Sequence, residues 1–558
     1  MNEVVDTFNK FFVDVGPNLA AKITNVENYN CELIDTNPLS MFLKPVEEKE
    51  ILDIVKGCKN KTSTDYHDMD MKTLKTVIES ISKPLTYICN LSLQTGQFPD
   101  GMKVAKVIPL FKAGDKHLFT NYRPVSLLPQ FSKILEKVYN SRLDSFIERC
   151  NLLSDNQFGF RNNHSTSHAL FDIIEEITNA VDNKKYAIGL FIDLSKAFDT
   201  INYDILINKL EHYGIRGVAL QWVTSYLKNR KQCVKIGDYR SSCRQIVCGL
   251  PQGSILGPKL FNMYINDICK TSQVLKFILF ADDTNIFASG DDLQQLCRIV
   301  NLELKSVNKW FKQNKLSLNL SKSKMMIFGN CNSNAQEAIQ IEGVVIERVH
   351  EIKFLGVIID DRITWKAHIK YISTKISRSI SVIAKAKHIL NIKALHILYC
   401  SLILPYLYYC TVVWGSTYKN TLKPIVLLQK RAIRVIHKVG FLDHTNSLFL
   451  KSKIMKFCDI VEFQTVQMLY KARYKLLPGQ IQRRFQERTG CYELRDELNF
   501  RTQKHSSTLK SFSPTVNGVQ LWNKLEMELK RSPNINLFKY KYKQKTFEIY
   551  REQEMCCH

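Results

Sequence analysis

The chain has few acidic residues for its size and contains no cysteine pair spaced as C-x-x-C. Its 558 residues include 78 Lys and Arg against 53 Asp and Glu, a formal net charge of +25. Without C-x-x-C pairs, its 16 cysteines support neither a disulfide framework nor a zinc ribbon, and we expect buried thiols in a reducing compartment. The positive charge attracts polyanions, as it does in nucleic-acid-binding, ribosomal, chromatin and membrane-surface proteins.

Long apolar segments are also scarce. Residues 394–415 form an uncharged stretch that could span a bilayer at roughly 20 residues, but Pro405 interrupts it and four tyrosines dilute it, as in a buried helical hairpin. The first six residues include acids where a secretory signal has a basic start and an apolar core. We therefore expect an intracellular protein, in the nucleus, the cytoplasm or both, that is neither secreted nor embedded in a membrane.

The last three residues, 556–558, are Cys-Cys-His and invite a metal-site interpretation. A tetrahedral metal site needs four spaced ligands, and no partner cluster precedes this tail. We expect a frayed terminus.

Three acids stand at the ends of apolar runs. Residues 277–281 are apolar and lead into Asp282 and Asp283, and residues 186–192 lead in the same way into Asp193. An Asp pair in an ordinary turn is the alternative. Adjacent like charges at the end of buried strands, however, lose hydration and repel each other unless a cation compensates. An acidic pair facing a lone acid is what two Mg²⁺ ions need for in-line phosphoryl transfer, so we expect the three acids to meet at one sheet edge.

These acids, the block Phe-Ile-Asp-Leu-Ser-Lys-Ala-Phe-Asp at 191–199 and the loop Gly-Leu-Pro-Gln-Gly-Ser-Ile-Leu-Gly-Pro at 249–258 resemble a family. It is the reverse transcriptases of non-long-terminal-repeat retrotransposons, of the LINE-like, jockey and CR1 type. The resemblance implies an α+β right-hand polymerase with fingers, a ferredoxin-like palm on an antiparallel sheet, a helical thumb and helical extensions at both ends. The implied regions are an N-terminal helical extension at 1–100, fingers and palm at 101–345, a primer-grip hairpin and helical thumb at 346–440, and a basic C-terminal region at 441–558.

The implied activity is copying of template RNA into DNA from a DNA primer with dNTPs. Two Mg²⁺ ions, or Mn²⁺ in their place, are the implied cofactors. Asp193 and Asp282 are expected to hold both ions, Asp283 to support them, and the carbonyl of Leu194 to be an extra ligand. Lys322 matches the lysine near the β,γ-phosphates, a candidate general acid for leaving pyrophosphate, with the lysine two residues later as the alternative.

The resemblance also assigns nucleotide contacts in the fingers. Lys112 and Arg123 match positions over the incoming triphosphate. A guanidinium suits the second position because it makes forked bonds to phosphate oxygens. The alternative for both residues is solvated surface.

Further nucleotide contacts are implied near the sugar. Phe198, five residues after the first acid, matches a steric gate that excludes a 2′-hydroxyl, with a core position as the alternative. Gln252 can hydrogen-bond sugar or base edges, and Gly253 permits a close backbone approach. Asp199 is expected to cap the following helix. Gly159, in the block at 157–161, would let the backbone approach a strand of nucleic acid closely, and we expect its role to be structural support near the template.

Several alternatives stay open. Residues 1–100 form either a template-binding extension or a packing module, and the Lys-Tyr alternation at 539–543 either stacks on bases or forms a charged helix face. Relatives of this type usually carry an endonuclease upstream, and the sequence leads us to expect that it is absent from this chain. An intron maturase or RNA replicase of the same fold, and a non-enzymatic RNA-binding relic, are the rival functions. The Phe198 gate and the Ala-Asp-Asp turn disfavour the replicase, and the three acids disfavour the relic.

Overall fold

The computed structural model of the chain describes residues 1–23, 29, 31–329, 338–488 and 498–555, so the Cys-Cys-His tail at 556–558 lies outside the described residues. The strands in this part of the chain are, in order, β1 (Val104–Phe111), β2 (Tyr122–Leu127), β3 (Tyr186–Ile192), β4 (Lys231–Ile236), β5 (Tyr239–Arg240), β6 (Arg244–Gln245), β7 (Lys276–Phe280), β8 (Asp283–Gly290), β9 (Lys324–Phe328), β10 (Gln340–Ile341), β11 (Val344–Val345), β12 (Glu347–Arg348), β13 (Glu351–Phe354) and β14 (Val357–Asp360).

The α-helices of the same residues are α1 (Asn2–Ala21), α2 (Glu48–Lys56), α3 (Met71–Thr95), α4 (Gln130–Cys150), α5 (Thr166–Asp182), α6 (Tyr203–His212), α7 (Val218–Leu227), α8 (Gly257–Ile265), α9 (Leu293–Gln313), α10 (Lys366–Ala386), α11 (Ile392–Leu402), α12 (Leu404–Tyr408), α13 (Thr411–Trp414), α14 (Lys419–His437), α15 (Asn446–Ser452), α16 (Phe457–Arg473), α17 (Gly479–Gln482), α18 (Thr508–Ser511), α19 (Val519–Lys524), α20 (Met527–Lys530) and α21 (Ile535–Met555).

A five-stranded sheet with the order β12-β9-β3-β8-β7 carries the segments that contain the three acids. Strand β3 pairs antiparallel with β8 and β9, and β7 pairs antiparallel with β8. The short edge strand β12 is parallel to β9, so the sheet is mixed where the sequence predicts an antiparallel one. The uninterrupted apolar run of β3 follows from its position, because Ile188 and Leu190 face one core cluster and Ala187 and Phe191 face another.

A second sheet, with the order β2-β1-β4-β5, lies next to the first helix of the chain. Helix α1 packs on it through Phe8 and Phe12, which form a small core with Val107 and Val234. The buried amide of Asn9 also donates a hydrogen bond to the carbonyl of Gln232, at 3.2 Å. This part of the N-terminal extension therefore packs against protein.

The uncharged stretch at 394–415 falls across three short helices, α11, α12 and α13. Leu395, Tyr399, Leu407 and Trp414 from this stretch are fully buried in the second core cluster. Across the part of the chain that the structure describes, every helix falls short of the length or apolarity that a membrane span requires. The stretch is thus part of a helical core, as the prediction of a buried hairpin anticipates.

Buried ion pairs connect the C-terminal region to α5. Lys510 pairs with Glu175 at 2.6 Å, and Arg484 pairs with Asp172 at 2.6 Å, with all four side chains buried or nearly so. A buried pair that loses one partner leaves a charge without compensation, so such pairs tie two segments together strongly. The C-terminal region is therefore an integrated part of the fold.

The Lys-Tyr alternation lies on α21 and divides between interior and surface. Tyr542 packs on Phe463 with ring centroids 5.5 Å apart, while Tyr540 is exposed. Lys541 pairs with Glu528 at 2.6 Å. Tyr542 and Lys541 are therefore engaged in contacts within the protein, while Tyr540 remains accessible.

Candidate active site

The acidic pair lies at the turn between β7 and β8. Phe280 pairs with Asp283, which leaves Ala281 and Asp282 as a two-residue turn. Ala281 has a φ of +56°, a conformation that costs free energy for any residue other than glycine. The side chains of Asp282 and Asp283 are exposed at this turn. Strain at a turn that carries two acids is typical of a functional site.

The third acid, Asp193, directly follows β3. Because Ile192 pairs with Thr284, Asp193 continues β3 to a position opposite Asp283. The side chain of Asn319 donates a hydrogen bond to Asp193 Oδ2 at 2.9 Å, and the backbone amide of Asn319 donates to the Asp193 carbonyl at 2.8 Å. Asp193 is therefore held in place by the segment that precedes β9.

Leu194 forms an isolated antiparallel bridge with Leu318. The two hydrogen bonds of this bridge use the carbonyl of Asp193 and the amide of Ser195, which donates to Ser317 O at 2.9 Å. The carbonyl of Leu194 takes part in neither bond, as a metal ligand at this position requires.

The three acids influence one another electrostatically. Partial loss of hydration at the turn, together with the charges of Asp282 and Asp193, raises the pKa of Asp283 to about 6. The same loss of hydration raises the pKa of Asp282, and Arg123 and Lys112 oppose that rise. The acids are thus close enough to repel each other, and Lys112 and Arg123 are close enough to offset part of this repulsion.

The donor set fits Mg²⁺ or Mn²⁺, which prefer oxygen ligands. Within the described ranges, however, no three His, Cys, Asp or Glu side chains converge as a preformed metal site, and this includes Asp193, Asp282 and Asp283. The assignment of these three acids to two Mg²⁺ ions stays a prediction. Mg²⁺ is usually bound by one or two carboxylates together with substrate phosphates, so a bound nucleotide would supply the remaining ligands.

Lys112 and Arg123 lie on adjacent segments of the second sheet. Leu110 pairs with Arg123, and the amide of Lys112 donates to the carbonyl of Asn121 at 2.9 Å. Both cationic side chains are exposed. Both cations lower the pKa of Asp282, so they lie within electrostatic range of that acid.

A cation that the sequence reasoning missed, Lys196, lies beside them. Burial lowers the pKa of Lys196, and the nearby charges of Lys112, Arg123 and Lys322 lower it further, while Asp199 opposes them. Its position three residues after Asp193, in the most recognisable block, is the signal that could have identified it. Four cations from three separate segments therefore share this region.

The two candidate lysines before and on β9 differ in their partners. Lys324 Nζ pairs with Glu347 at 2.5 Å and donates to the carbonyl of Ser321 at 3.1 Å. Lys322 is exposed in the turn before the strand, near enough to Lys196 to affect its pKa. Lys322 is thus the better candidate of the two.

Phe198 lies in a short 3₁₀ turn, Ala197–Asp199. Its ring stacks on the buried ring of Phe261, with centroids 4.4 Å apart and an interplanar angle of 19°. The side chain is half-buried and packs against the core, and part of its surface stays exposed.

The loop at 249–258 lies against this turn and against β2. Gly253 has a φ of +134°, and a Cβ there would stand 2.5 Å from the carbonyl oxygen of Ser126. The amide of Ser126 donates to the carbonyl of Gln252 at 2.9 Å, and the side-chain amide of Gln252 donates to Asp199 Oδ1 at 2.9 Å. Glycine is therefore required at 253 by both conformation and space.

Comparison with known proteins agrees with this geometry. Residues 112–359 match the family described as reverse transcriptase (RNA-dependent DNA polymerase). Residues 112–359 are a reverse transcriptase domain. The match includes Lys112, Arg123, the three acids and the loop at 249–258.

Relatives that match 74–80% of the chain are RNA-directed DNA polymerases from transposons and mobile elements. The chain is 29% identical over 437 residues to a probable RNA-directed DNA polymerase from transposon BS of Drosophila melanogaster, covering 74% of this chain and 47% of that protein. It is 27% identical over 458 residues to the RNA-directed DNA polymerase from mobile element jockey of the same species, covering 80% and 50%. A probable polymerase from transposon X-element is 26% identical over 425 residues, covering 75% and 46%. The chain spans about half the length of these relatives.

Three further polar residues support the reverse transcriptase domain and were missed from sequence. The buried carboxylate of Glu136 accepts hydrogen bonds from the amides of Ile255 at 2.7 Å and Leu256 at 3.3 Å, which anchors the end of the loop at 249–258. The carbonyl oxygen of the buried Gln157 side chain accepts from the amide of Ala281 at 3.1 Å. Asn319 holds Asp193, as described above.

A Cβ on Gly159 would stand 2.4 Å from the amide nitrogen of Ala281 in the turn between β7 and β8, which fits the expected structural support; an approach of Gly159 to nucleic acid stays a prediction. One sequence prediction in this domain is wrong. The cap of α6 is Asn202, whose side chain accepts from the amides of Asp204 and Ile205, both at 3.0 Å. Asp199 instead accepts from Gln252.

Proposed function

We propose that the chain is an RNA-directed DNA polymerase that copies template RNA into DNA from a primer 3′-OH. The observation that carries the proposal is the strand pairing that brings Asp193 opposite Asp283, with the exposed cations Lys112 and Arg123 close enough to act on Asp282. Acids that repel each other, faced by cations a triphosphate could bridge, form a site for metal-dependent phosphoryl transfer. The reverse transcriptase family is in general dependent on divalent metal ions.

Asp193 and Asp282 would hold two Mg²⁺ ions, or Mn²⁺, with Asp283 and the carbonyl of Leu194 in support. Such ions, when bound, activate the primer 3′-OH and stabilise the charge on pyrophosphate. The contribution of the chain is to hold its acids at fixed positions, which Asn319 does for Asp193.

Lys112 and Arg123 would bind the triphosphate of the incoming dNTP. The guanidinium of Arg123 offers a planar fork to two phosphate oxygens, whereas Lys112 acts as a point charge. Lys322 would donate a proton to leaving pyrophosphate, since it is exposed beside the same cluster of cations.

Phe198, Gln252 and Gly253 would form the sugar-binding side of the site. Phe198 would lie under the sugar, where a 2′-hydroxyl would collide with its ring. Gly253 would keep the loop close to β2, where the carbonyl of Gln252 accepts from the amide of Ser126.

The proposed division of the chain keeps residues 1–100 as a helical extension, 101–345 as fingers and palm, 346–440 as primer-grip hairpin and thumb, and 441–558 as a basic C-terminal region. The thumb would hold the product duplex mainly by phosphate contacts. A groove between α10 and α14, lined by Lys366, Lys370 and Arg378 on one side, supports this role.

The decisive experiment is primer extension on poly(rA)/oligo(dT) with Mg²⁺. We expect DNA synthesis from dTTP that requires the metal and is lost in the variant Asp282→Asn. Extension of an RNA primer with UTP in preference to dTTP would instead favour a replicase. Duplex binding without any extension would favour the relic.

A further inference from the structure

Three hydrogen bonds join the segment 198–201, which includes the turn that carries Phe198, to the loop at 249–252. The amide of Leu250 donates to the carbonyl of Phe198 at 2.7 Å, and the amide of Gly249 donates to the carbonyl of Ile201 at 2.9 Å. The third bond joins side chains, from Gln252 Nε2 to Asp199 Oδ1 at 2.9 Å.

The carboxylate of Asp199 is used for little else. Its Oδ2 is shielded from solvent and has no hydrogen-bond partner among the described residues. The helix cap that Asp199 was expected to form is supplied by Asn202. The backbone at 199 is held separately, because the amide of Asp199 donates a hydrogen bond to the carbonyl of Lys196 at 2.8 Å.

The chemistry of the two groups determines how Gln252 is oriented. An ionised carboxylate accepts hydrogen bonds and donates none, whereas the glutamine amide has a donating NH₂ end and an accepting oxygen. The hydrogen bond from Gln252 Nε2 to Asp199 Oδ1 turns the NH₂ end of Gln252 toward Asp199, which leaves the Gln252 oxygen available to a donor. Burial raises the pKa of Asp199, and the hydrogen bond from Gln252 and the positive charge of Lys196 oppose that rise.

Resting on the polymerase function proposed above, we propose that Asp199 is a positioning residue that orients the Gln252 amide and couples it to the Phe198 gate. Asp199 then fixes the positions of Gln252 and Phe198, the two side chains that would contact the sugar, relative to each other. The free oxygen of Gln252 accepts from a sugar hydroxyl, and a dNTP offers one, the 3′-OH. Asp199 thereby contributes to the choice between sugars without touching the nucleotide.

The test compares dTTP, ddTTP and UTP on poly(rA)/oligo(dT) with the full chain. We expect the wild type to prefer dTTP over ddTTP by about tenfold, or 1.36 kcal/mol. In Asp199→Ala this preference falls to near parity and the KM for dTTP rises by about tenfold, with kcat changed by less than about threefold. Asp199→Asn, whose amide both donates and accepts, gives an intermediate preference and serves if the alanine variant is unstable.

Two comparisons separate positioning from a general loss of structure. Asp204→Ala is the matched control, because Asp204 is an exposed acid on α6; its sugar preference stays that of the wild type. In a Gln252→Ala background, Asp199→Ala changes the preference no further, since Asp199 acts through Gln252.

The inference is overturned if folded Asp199 variants keep the wild-type dTTP/ddTTP ratio. It is also overturned if Asp199→Ala changes this ratio as much in the Gln252→Ala background as in the wild type, or if the wild type itself uses dTTP and ddTTP equally. In each case wild-type extension with dTTP leaves the proposed polymerase function intact. A wild type that extends no primer overturns both.

Discussion

Gly159 packs against the backbone amide of Ala281 so closely that a Cβ at position 159 has no room. The Gln157 side-chain oxygen accepts from both amides, at 2.8 Å for Gly159 and 3.1 Å for Ala281. Ala281 is the residue with positive φ that precedes Asp282. A segment more than a hundred residues upstream thus supports the turn that carries the acids.

Gly159→Ala should therefore impair catalysis by displacing this turn. Overpacking a tight contact typically costs about 1–3 kcal/mol, and here the shift falls on the backbone next to Asp282. We expect kcat in primer extension to fall by at least about tenfold, equal to 1.36 kcal/mol, with little change in primer affinity. Gly101→Ala is the control, because a Cβ at 101 meets nothing within 4 Å. Wild-type kcat in folded Gly159→Ala would contradict the role of this contact.

Asp193→Asn and Asp282→Asn should each abolish primer extension. Duplex binding should stay within a few-fold of wild type, because phosphate contacts elsewhere provide most of the affinity. Asp291→Asn is the matched control, since Asp291 is an exposed acid just after β8 and should leave the rate unchanged. If either site variant keeps more than about a tenth of the wild-type rate, the metal assignment is wrong.

Sequence reasoning succeeded where a local pattern determines the structure. The apolar runs before Asp193 and Asp282 identify buried strands, and antiparallel pairing then brings the acids together. It failed for Asp199, because this residue contacts Gln252 far along the chain and a local pattern reveals a polar residue without its partner. Glu136 was missed for the same reason, since the amides of Ile255 and Leu256 that it binds lie more than a hundred residues away.

The raised pKa of Asp283 predicts a pH dependence of stability. Its folded-state pKa of about 6 lies above the ordinary value of 3.8, so the folded protein binds this proton more tightly. Without metal, ionised Asp283 destabilises the fold at pH 7, and this effect is lost as the pH falls from about 6 toward 4. Asp283→Asn should therefore raise Tm at pH 7 in EDTA, and the gain should disappear near pH 4.

The Tm of the wild type and of Asp283→Asn, measured by thermal unfolding from pH 4 to 8, gives the size of this destabilisation. Mg²⁺ should raise the Tm of the wild type at pH 7 more than that of Asp283→Asn, because the cation compensates the same charge. The Tm of Asp291→Asn should differ little from that of the wild type, and this difference should depend on neither pH nor Mg²⁺ in the same way, since its partner Lys185 is 3.6 Å away at the surface. A gain for Asp283→Asn that is constant with pH would show that repulsion among the acids is not its cause.

Arg123→Ala should weaken nucleotide binding selectively. Loss of a charged, bidentate contact worth roughly 1.5–3 kcal/mol should raise the KM for dNTP at least tenfold. Primer affinity should change little, as steady-state kinetics and duplex titration would show. Arg149→Ala, an exposed arginine near the end of α4, is the control. Equal weakening for dNTP and primer would instead place Arg123 in the nucleic-acid channel.

Phe198→Val should open the site to ribonucleotides. If the ring excludes the 2′-hydroxyl by collision, its truncation should raise UTP use relative to dTTP by on the order of a hundredfold, about 2.7 kcal/mol, with dTTP use reduced only modestly. The stacking of Phe198 on Phe261 makes some loss of stability certain as well, up to roughly 3–5 kcal/mol for complete loss of a buried ring. Tm and the UTP/dTTP ratio should therefore be measured on the same preparation.

Phe146→Val provides the comparison for a ring that belongs only to the core. Phe146 is 3% exposed on α4, so this variant should lower Tm while the UTP/dTTP ratio stays that of the wild type. Truncating a gate residue thus changes the UTP/dTTP ratio and truncating a core residue does not, whereas both truncations lower Tm. If folded Phe198→Val behaves like Phe146→Val, with lower Tm and an unchanged ratio, Phe198 contributes packing alone and sugar selection must come from elsewhere in the site.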